Sequence, residues 1–453
     1  MKVKDILNIT KGQLIIGNEN LECENFSKDT RTIQKGDIYI GIKGEKFDGS
    51  LFWKQALENG ADAVIIENIE IEPEELPKNK TVIKVENTLK ALYEIAKYKR
   101  SLYDIPVIAV TGSVGKTSTK DIIANVVSTK YKTLKTEGNN NNNIGLPLTI
   151  LKLKDHEALV IEMGMNHLGE ISLLTDIASP TLSVITNIGT SHIGNLGSRE
   201  NILKAKLEIL EGMAQPKVII NNDNDLLHNW ALKNKENLEI HTFGIQNKSD
   251  LNAQNIELRE DGSDFIAVTQ TDSIKIQVPV GGEHFVYNAL CATEVGKVLG
   301  ISSEQIQKGI AQFELTKKRM DIKKLENGAI IINDAYNASY ESMKASLEFL
   351  RNYNGTRKIA VLGDMFELGD YSKELHRNVG KEVANRNIDI LICAGEESKY
   401  IIEEAEKNLK MQTYYFNNNE QIVEKLRQEL RNGDVILVKA SNGMKFYEIC
   451  QKI

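Results

Sequence analysis

The sequence is poor in the residues that build crosslinked or membrane-spanning proteins. Cysteine occurs only four times in 453 residues, at Cys23, Cys291, Cys393 and Cys450. The four are far apart and show no CxxC spacing, which argues against a disulfide framework or a zinc site and for a reducing compartment. No run approaches the roughly 20 apolar residues of a membrane-spanning helix, and the opening MKVKDILNITKGQLII has no apolar stretch long enough for a signal peptide. Positive charge is not in excess: 56 Lys and Arg stand against 63 Asp and Glu, a net charge of −7. That balance excludes broad nucleic-acid or anionic-membrane binding and leaves room for a local basic pocket. The absences together lead us to expect a cytoplasmic protein without a nucleic-acid partner or membrane insertion. What is present is ordinary: 41% hydrophobic, 26% charged, and only seven prolines, a globular composition and not a disordered one. At about 150 residues per domain the length implies about three domains.

Three regimes follow one another along the chain. Residues 1–100 mix short apolar segments (37–42, 63–66 and 81–85) with turn clusters such as 44–49, which predicts a small α/β domain with an exposed loop at 71–80. From Pro106 apolar strands alternate with helical stretches. Strands are expected at 107–110, 159–161, 182–186 and 218–220, with a helix over 118–129. Alternation of this kind reads as parallel βαβ units in a doubly wound sheet, so residues 101–315 form a second domain. A similar series (329–332, 359–362, 388–393, 413–416 and 435–438) makes 316–453 a third, Rossmann-like domain. The helical stretch 303–313 and the basic Lys317–Arg319 after it are the expected hinge. Asn139–Asn143, five asparagines in a row, is the single low-complexity feature.

The strongest local signal is Thr111–Gly112–Ser113–Val114–Gly115–Lys116–Thr117, directly after a strand and before a helix. In that setting loop amides and a helix N-terminus point at an anion. Gly112 and Gly115 permit a tight turn, Lys116 is placed to neutralise nucleotide phosphates, and the Thr117 hydroxyl to ligate Mg²⁺. Val110 stands where the usual pattern has its first glycine. Lys116 is expected to be exposed until ATP binds.

A second group narrows the chemistry. Glu162 ends an apolar strand, where a carboxylate would face the metal of a bound nucleotide. His192 lies in the polar loop 186–192 after another strand, at the sheet end where open α/β sheets bind ligands; a lone loop histidine is otherwise most often structural. Lys206, within Glu200–Gly212, reads from its pattern as a solvated lysine.

Taken together, these segments resemble the Mur ligase family, ATP-dependent amide-forming enzymes of peptidoglycan precursor synthesis. The resemblance rests on TGSVGKT at 111–117, GNNNNNIGLP at 138–147, Glu162, TNIGTSH at 186–192, the AK pair at 205–206 and NDAYNAS at 333–339. The Asp29–Thr30–Arg31 segment with GEKFDG at 44–49, the asparagine run at 139–143 and VLGDMFELG at 361–369 resemble the branch that adds D-alanyl-D-alanine to a UDP-N-acetylmuramoyl-tripeptide.

The resemblance implies an α/β chain of three domains: a UDP-binding domain, a phosphate-loop ATPase sheet and a Rossmann-like domain, acting as a monomer. It implies that Gly112, Ser113, Val114, Gly115, Lys116, Thr117 and Ser118 bind ATP, joined by Asn288, Arg319 and Asp334. It also implies two Mg²⁺ ions held by Thr117, Glu162, His192 and a Lys206 carbamylated by CO₂. Lys116, Glu162, His192 and Lys206 would be the catalytic set. The muramoyl peptide would contact Asp29, Thr30, Arg31, Lys43, Phe47, Asp48, Gly49, Asn141 and Asn142, with Tyr336 and Asn337 reaching the substrates from the third domain. Three positions depart from the family pattern: Ser339–Tyr340 replaces an Asn-Pro pair, 439–442 reads KASN instead of a KGSR-like segment, and Ser50 stands where histidine is frequent. Another amino-acid ligase on the same scaffold, or a retired nucleotide-binding regulator, are the alternative readings.

Overall fold

The structure is a computed structural model and describes residues 1–44, 47–67, 69–72, 79–315, 318–407 and 411–453. Glu45 and Lys46 of the 44–49 motif, most of the expected loop at 71–80, and Lys317 of the expected hinge lie outside the described residues.

Three sheets follow the three compositional regimes. The first orders its strands 13–16, 81–84, 63–66, 38–40 and 26–27, parallel except for the antiparallel first pair. Its strands are short and apolar, and Ile38, Ile40, Ile65 and Ile83 are sealed in the core.

The central sheet has nine strands. Val107–Thr111 lies between Leu182–Ile185 on one side and Ala158–Glu162 on the other, so the strand order reverses at this strand. All five residues of Val107–Thr111 and of Ala158–Glu162 are buried, as continuous apolar runs in a parallel sheet covered on both faces require. The sheet is not purely parallel as expected. Beyond Glu239–Gly244 it continues into Leu251–Leu258, Ser263–Val268 and Ser273–Val278, the last two pairings antiparallel. The alternation of exposed and buried residues in Ser273–Val278 marks a sheet wet on one face, a period the search for apolar runs passed over.

The third sheet orders 321–324, 330–333, 434–439, 357–363, 390–394 and 412–416, with Asp321–Lys324 antiparallel to its neighbour and the rest parallel. The helix Ser303–Ala311 is not a free hinge. Ser302 caps it, and Ile306 and Ile310 are buried. A Cβ at Gly309 would stand 2.5 Å from the Val126 Cα of the helix Lys116–Ser128, so the helix is seated on the central sheet's own layer.

Candidate functional site

The phosphate loop leaves the buried strand Val107–Thr111 and enters the helix Lys116–Ser128, which begins two residues earlier than its apolar pattern predicts because Gly115, at φ 80°, serves as N-cap. Gly112 is required by space as well as by its φ of 155°: a Cβ there would lie 1.9 Å from the Thr186 hydroxyl. Lys116 is half-buried, not exposed as expected. Its ammonium turns back to donate to the Gly112 and Ser113 carbonyls at 2.9 and 3.3 Å. Burial lowers its pKa, opposed by the field of Glu162.

Glu162 closes the strand Ala158–Glu162 and is held on both oxygens. Thr117 Oγ1 donates to Oε2 at 2.8 Å, and Asn141 Nδ2 donates to Oε1 at 2.7 Å. Asn142 has a different task, accepting from the amides of Ile144 and Gly145 at the start of the helix Gly145–Leu151. The asparagine run is therefore built into the site and is not merely a surface loop.

These groups border one cavity of about 440 Å³, and both the central and the C-terminal sheets contribute to it. Ser113, Val114, Gly115, Lys116, Thr117, Ser118, Asn141, Asn142, Glu162, His192 and Asn288 line it from the centre; Arg319, Asp334, Tyr336 and Asn337 line it from the C-terminal side. Asn288 accepts from Thr119 Oγ1 at 3.0 Å, which places it beside the first turn of the phosphate-loop helix. Arg319 stacks over the Tyr336 ring at 4.0 Å. Asp334 accepts from Ser346 Oγ at 2.6 Å and pairs with the buried Lys439 at 2.5 Å.

His192 adopts a left-handed φ of 64°, and its Nδ1 lies 2.5 Å from a Glu367 oxygen of the C-terminal unit. Contact with His192 lowers the Glu367 pKa. Lys206 is a correction: it is 2% exposed, not solvated. Burial first, then the field of Lys116, drives its pKa well below the usual lysine range. It is not among the residues that line the cavity.

The expected contacts of the first domain are not brought to this cavity. Arg31 is 84% exposed on its side chain and bonds Asp29, its own neighbour, at 2.6 Å. That hydrogen bond pulls the Asp29 carboxyl down to about 2. Thr30 donates to Gln55 at 3.3 Å. The backbones of Lys43 and Asp48 pair antiparallel across the turn, Asp48 caps Ser50 N, and Gly49 packs on the Ile42 carbonyl, where a Cβ would stand 2.4 Å away. Phe47 is 65% exposed against the edge of Phe52. Ser50 is fully buried and bridges Gly41 O and Glu67 N, a place with no room for the imidazole frequent there.

Sequence reasoning missed Glu341, which bonds Thr190, and treated Lys439 only as part of an imperfect motif. A buried lysine amid a strand of apolar residues was the available signal for Lys439; for Glu341 there was none, since an acidic residue in a first helical turn is common.

Comparison with known proteins now decides the family. The Mur ligase middle domain matches residues 110–296, the Mur ligase glutamate ligase domain matches 318–442, and the Mur ligase family catalytic domain matches 24–100. The UDP-N-acetylmuramoyl-tripeptide–D-alanyl-D-alanine ligase of Bacillus subtilis is 38% identical over 100% of this chain and 98% of its own. The chain belongs to the Mur ligase family. The Escherichia coli ligase of the same name is 32% identical to this Mur ligase over 88% of the chain and 86% of its own. Among solved structures, MurF from Acinetobacter baumannii superposes with a TM-score of 0.89 at 30% identity, covering 99% of this chain and 98% of that one. MurF ligase from Thermotoga maritima, solved in complex with ADP, superposes with a TM-score of 0.83 at 27% identity, covering 96% and 98%.

Proposed function

We infer that this Mur ligase adds D-alanyl-D-alanine to UDP-N-acetylmuramoyl-tripeptide at the expense of ATP, forming an amide bond, ADP and phosphate in peptidoglycan precursor synthesis. The observation that carries the reading is end-to-end agreement with a ligase of that name, in a chain whose cavity joins a phosphate loop to C-terminal groups.

We propose the following division of labour. Residues 1–100 bind the UDP end, 101–315 the nucleotide and 316–453 close on both, as a cytoplasmic monomer. Lys116 and the loop amides of 112–118 hold the ATP phosphates, and release of Lys116 from its two carbonyls accompanies binding. The tripeptide carboxylate attacks the γ-phosphorus and ADP leaves, giving an acyl phosphate. The dipeptide amine then attacks the acyl carbon, phosphate leaves and the amine loses a proton. Chemistry of this kind needs charge neutralisation and in-line positioning more than covalent help from the protein.

The donor set suits Mg²⁺: Thr117 Oγ1 and Glu162 present hard oxygens 2.8 Å apart, and among the described residues no cluster of His, Cys, Asp or Glu would compete as a closed cage. Bound Mg²⁺ supplies charge that offsets the repulsion between carboxylate and γ-phosphate. We further propose a second ion facing His192, and a carbamate on Lys206, whose uncharged amine is the form that reacts with CO₂. Asn288, Arg319 and Asp334 frame the nucleotide. Asn141, Asn142, Tyr336 and Asn337 frame the peptide ends, and Asp29–Arg31 with Lys43 and Phe47–Gly49 form the UDP-side surface.

The deciding experiment measures phosphate release with UDP-N-acetylmuramoyl-tripeptide and Mg·ATP, with and without D-alanyl-D-alanine. Release that requires both acceptors and yields a UDP-linked pentapeptide supports the reading. ATP binding without release under any acceptor overturns it in favour of a regulator. Release with a single amino acid instead of the dipeptide would point to another ligase of the family.

A further inference from the structure

The loop 186–192 is gripped from two sides before the C-terminal unit reaches it. Toward the phosphate loop, Thr186 Oγ1 and Asn187 Nδ2 donate to the Val114 carbonyl at 2.8 and 3.0 Å, and Gly189 N–H donates to Ser113 Oγ at 2.9 Å. From beneath, Arg199 and Asn224 both donate to the Ile188 carbonyl, at 2.9 and 3.0 Å. The shape of this loop and the shape of the phosphate loop are thereby one problem.

On the remaining side, Thr190 offers its amide and its hydroxyl, and both donate to Glu341, at 2.8 and 3.1 Å. Glu341 stands in the first turn of the helix Tyr340–Asn352, in the C-terminal unit. Its carboxylate lies directly on Gly189, where a Cβ would come within 2.5 Å of the carboxylate carbon. A favourable charge at a helix N-terminus would account for an acidic residue in this turn; it does not account for two hydrogen bonds into another unit over a glycine with no room to spare.

We propose that Glu341 is a positioning residue that seats the C-terminal unit on the phosphate-loop system, so that nucleotide binding and seating strengthen each other. The proposal rests on the reading that 112–118 binds nucleotide. Coupling between two such events is reciprocal, so loss of the seat weakens nucleotide binding even though Glu341, which borders the cavity, commits its two oxygens to Thr190. Hydrogen bonds to a charged acceptor set the expected effect at about tenfold.

The test titrates Mg·ADP calorimetrically into the full chain as wild type, Glu341→Ala, Glu341→Gln and Gly189→Ala, and measures small-angle scattering at saturation. Glu341→Ala is expected to raise the ADP Kd about tenfold and to leave the ADP-bound chain with a larger radius of gyration. Glu341→Gln keeps an acceptor oxygen and is expected to stay within about threefold of wild type. Gly189→Ala is expected to reproduce Glu341→Ala, and the combined variant to be no worse than either, the signature of one shared contact. Wild-type Kd and scattering in Glu341→Ala overturn the proposal. So does equal impairment of the Ala and Gln variants, because a charge effect and not seating would then be at work. Failure of the wild type itself to bind Mg·ADP would be failure of the nucleotide reading, a separate result.

Discussion

Two lysines show how differently one residue type behaves in this site. Lys116 folds over its own loop with both neighbours being carbonyls, so it is held without being neutralised and can turn to phosphate oxygens when they arrive. Lys116→Ala is expected to lower kcat at least about 100-fold, a loss typical of removing one transition-state charge contact, with an unchanged circular dichroism spectrum and thermal midpoint. Steady-state phosphate release checks it. Lys206 is buried, and its depressed pKa keeps a larger share of the amine uncharged near neutral pH. Lys206→Ala is expected to lose most activity, and millimolar formate or acetate to restore part of it by standing in for a carbamate. No recovery over a wide carboxylate range would count against the carbamate. The tight glycine turn that carries Lys116 could be read from seven consecutive residues, because such a loop is a local structure. Burial of Lys206 could not, because its own helix, Arg199–Leu207, also carries Glu200 and Lys204 and only the packing of other elements covers it.

At the scale of elements, the helix Glu283–Val298 ties the site to the outer half of the central sheet. It carries Asn288 near one end and the buried Glu294 further along. Glu294 accepts from His241 of the strand Glu239–Gly244 at 2.9 Å, and the other ring nitrogen lies 3.1 Å from Glu239, itself paired with Lys217. The Glu294 hydrogen bond, ahead of the opposing burial, raises the His241 pKa. A raised folded-state pKa contributes stability that is full below about pH 6.5 and is lost as pH rises through the folded value. The urea midpoint is therefore expected to fall between pH 6 and pH 9, and the fall to shrink in Glu294→Gln. Equal pH dependence in both proteins would rule out this pair as its source. The central strands at 107–110, 159–161, 182–186 and 218–220 and the parallel strands of the third sheet were legible as apolar runs separated by turns, whereas Thr133–Lys135, Glu239–Gly244 and Leu251–Leu258 carry no such run and were not. Nor were Ser263–Val268 and Ser273–Val278: the second alternates apolar and polar residues, and the first, although it ends in four apolar residues, has no helical stretch after it to mark a βα unit.

At the scale of the molecule, the first unit packs on the second through the helix Thr88–Ser101, whose Leu92, Ile95 and Ala96 share a core with Leu146 and Ile150 and whose Arg100 adds a polar anchor. Its guanidinium donates to the carbonyls of Ala178 at 2.9 Å, Tyr103 at 2.5 Å and Ser179 at 3.3 Å. Lys97–Asp176 adds an exposed pair at 2.6 Å, worth little on its own. If the UDP-linked substrate is grasped by the first unit and reacts in the second, this joint sets the distance between them. Arg100→Met is expected to raise the KM for the UDP-linked tripeptide about fivefold or more, the cost of about one kcal/mol of misplacement, while leaving the calorimetric Kd for Mg·ADP unchanged. Parallel loss of both affinities would show that the central unit itself had been damaged.

The glycine turn at 111–117, the carboxylate that ends the strand at Glu162, the alternating α/β plan and the order of the three parts were already written in the residue order. Each is set by neighbours within a few residues: glycines that admit a tight turn, apolar runs that must be covered, a strand whose last residue is a carboxylate. The remaining features arose from how the folded parts pack. That packing left the expected UDP-side residues away from the cavity and buried Lys206 and Lys439. It also brought Glu341 and Glu367 against a loop some 150 and 175 positions earlier in the chain. Contacts of that kind arise only when two separately folded sheets meet, and no local pattern of residues records where they will touch.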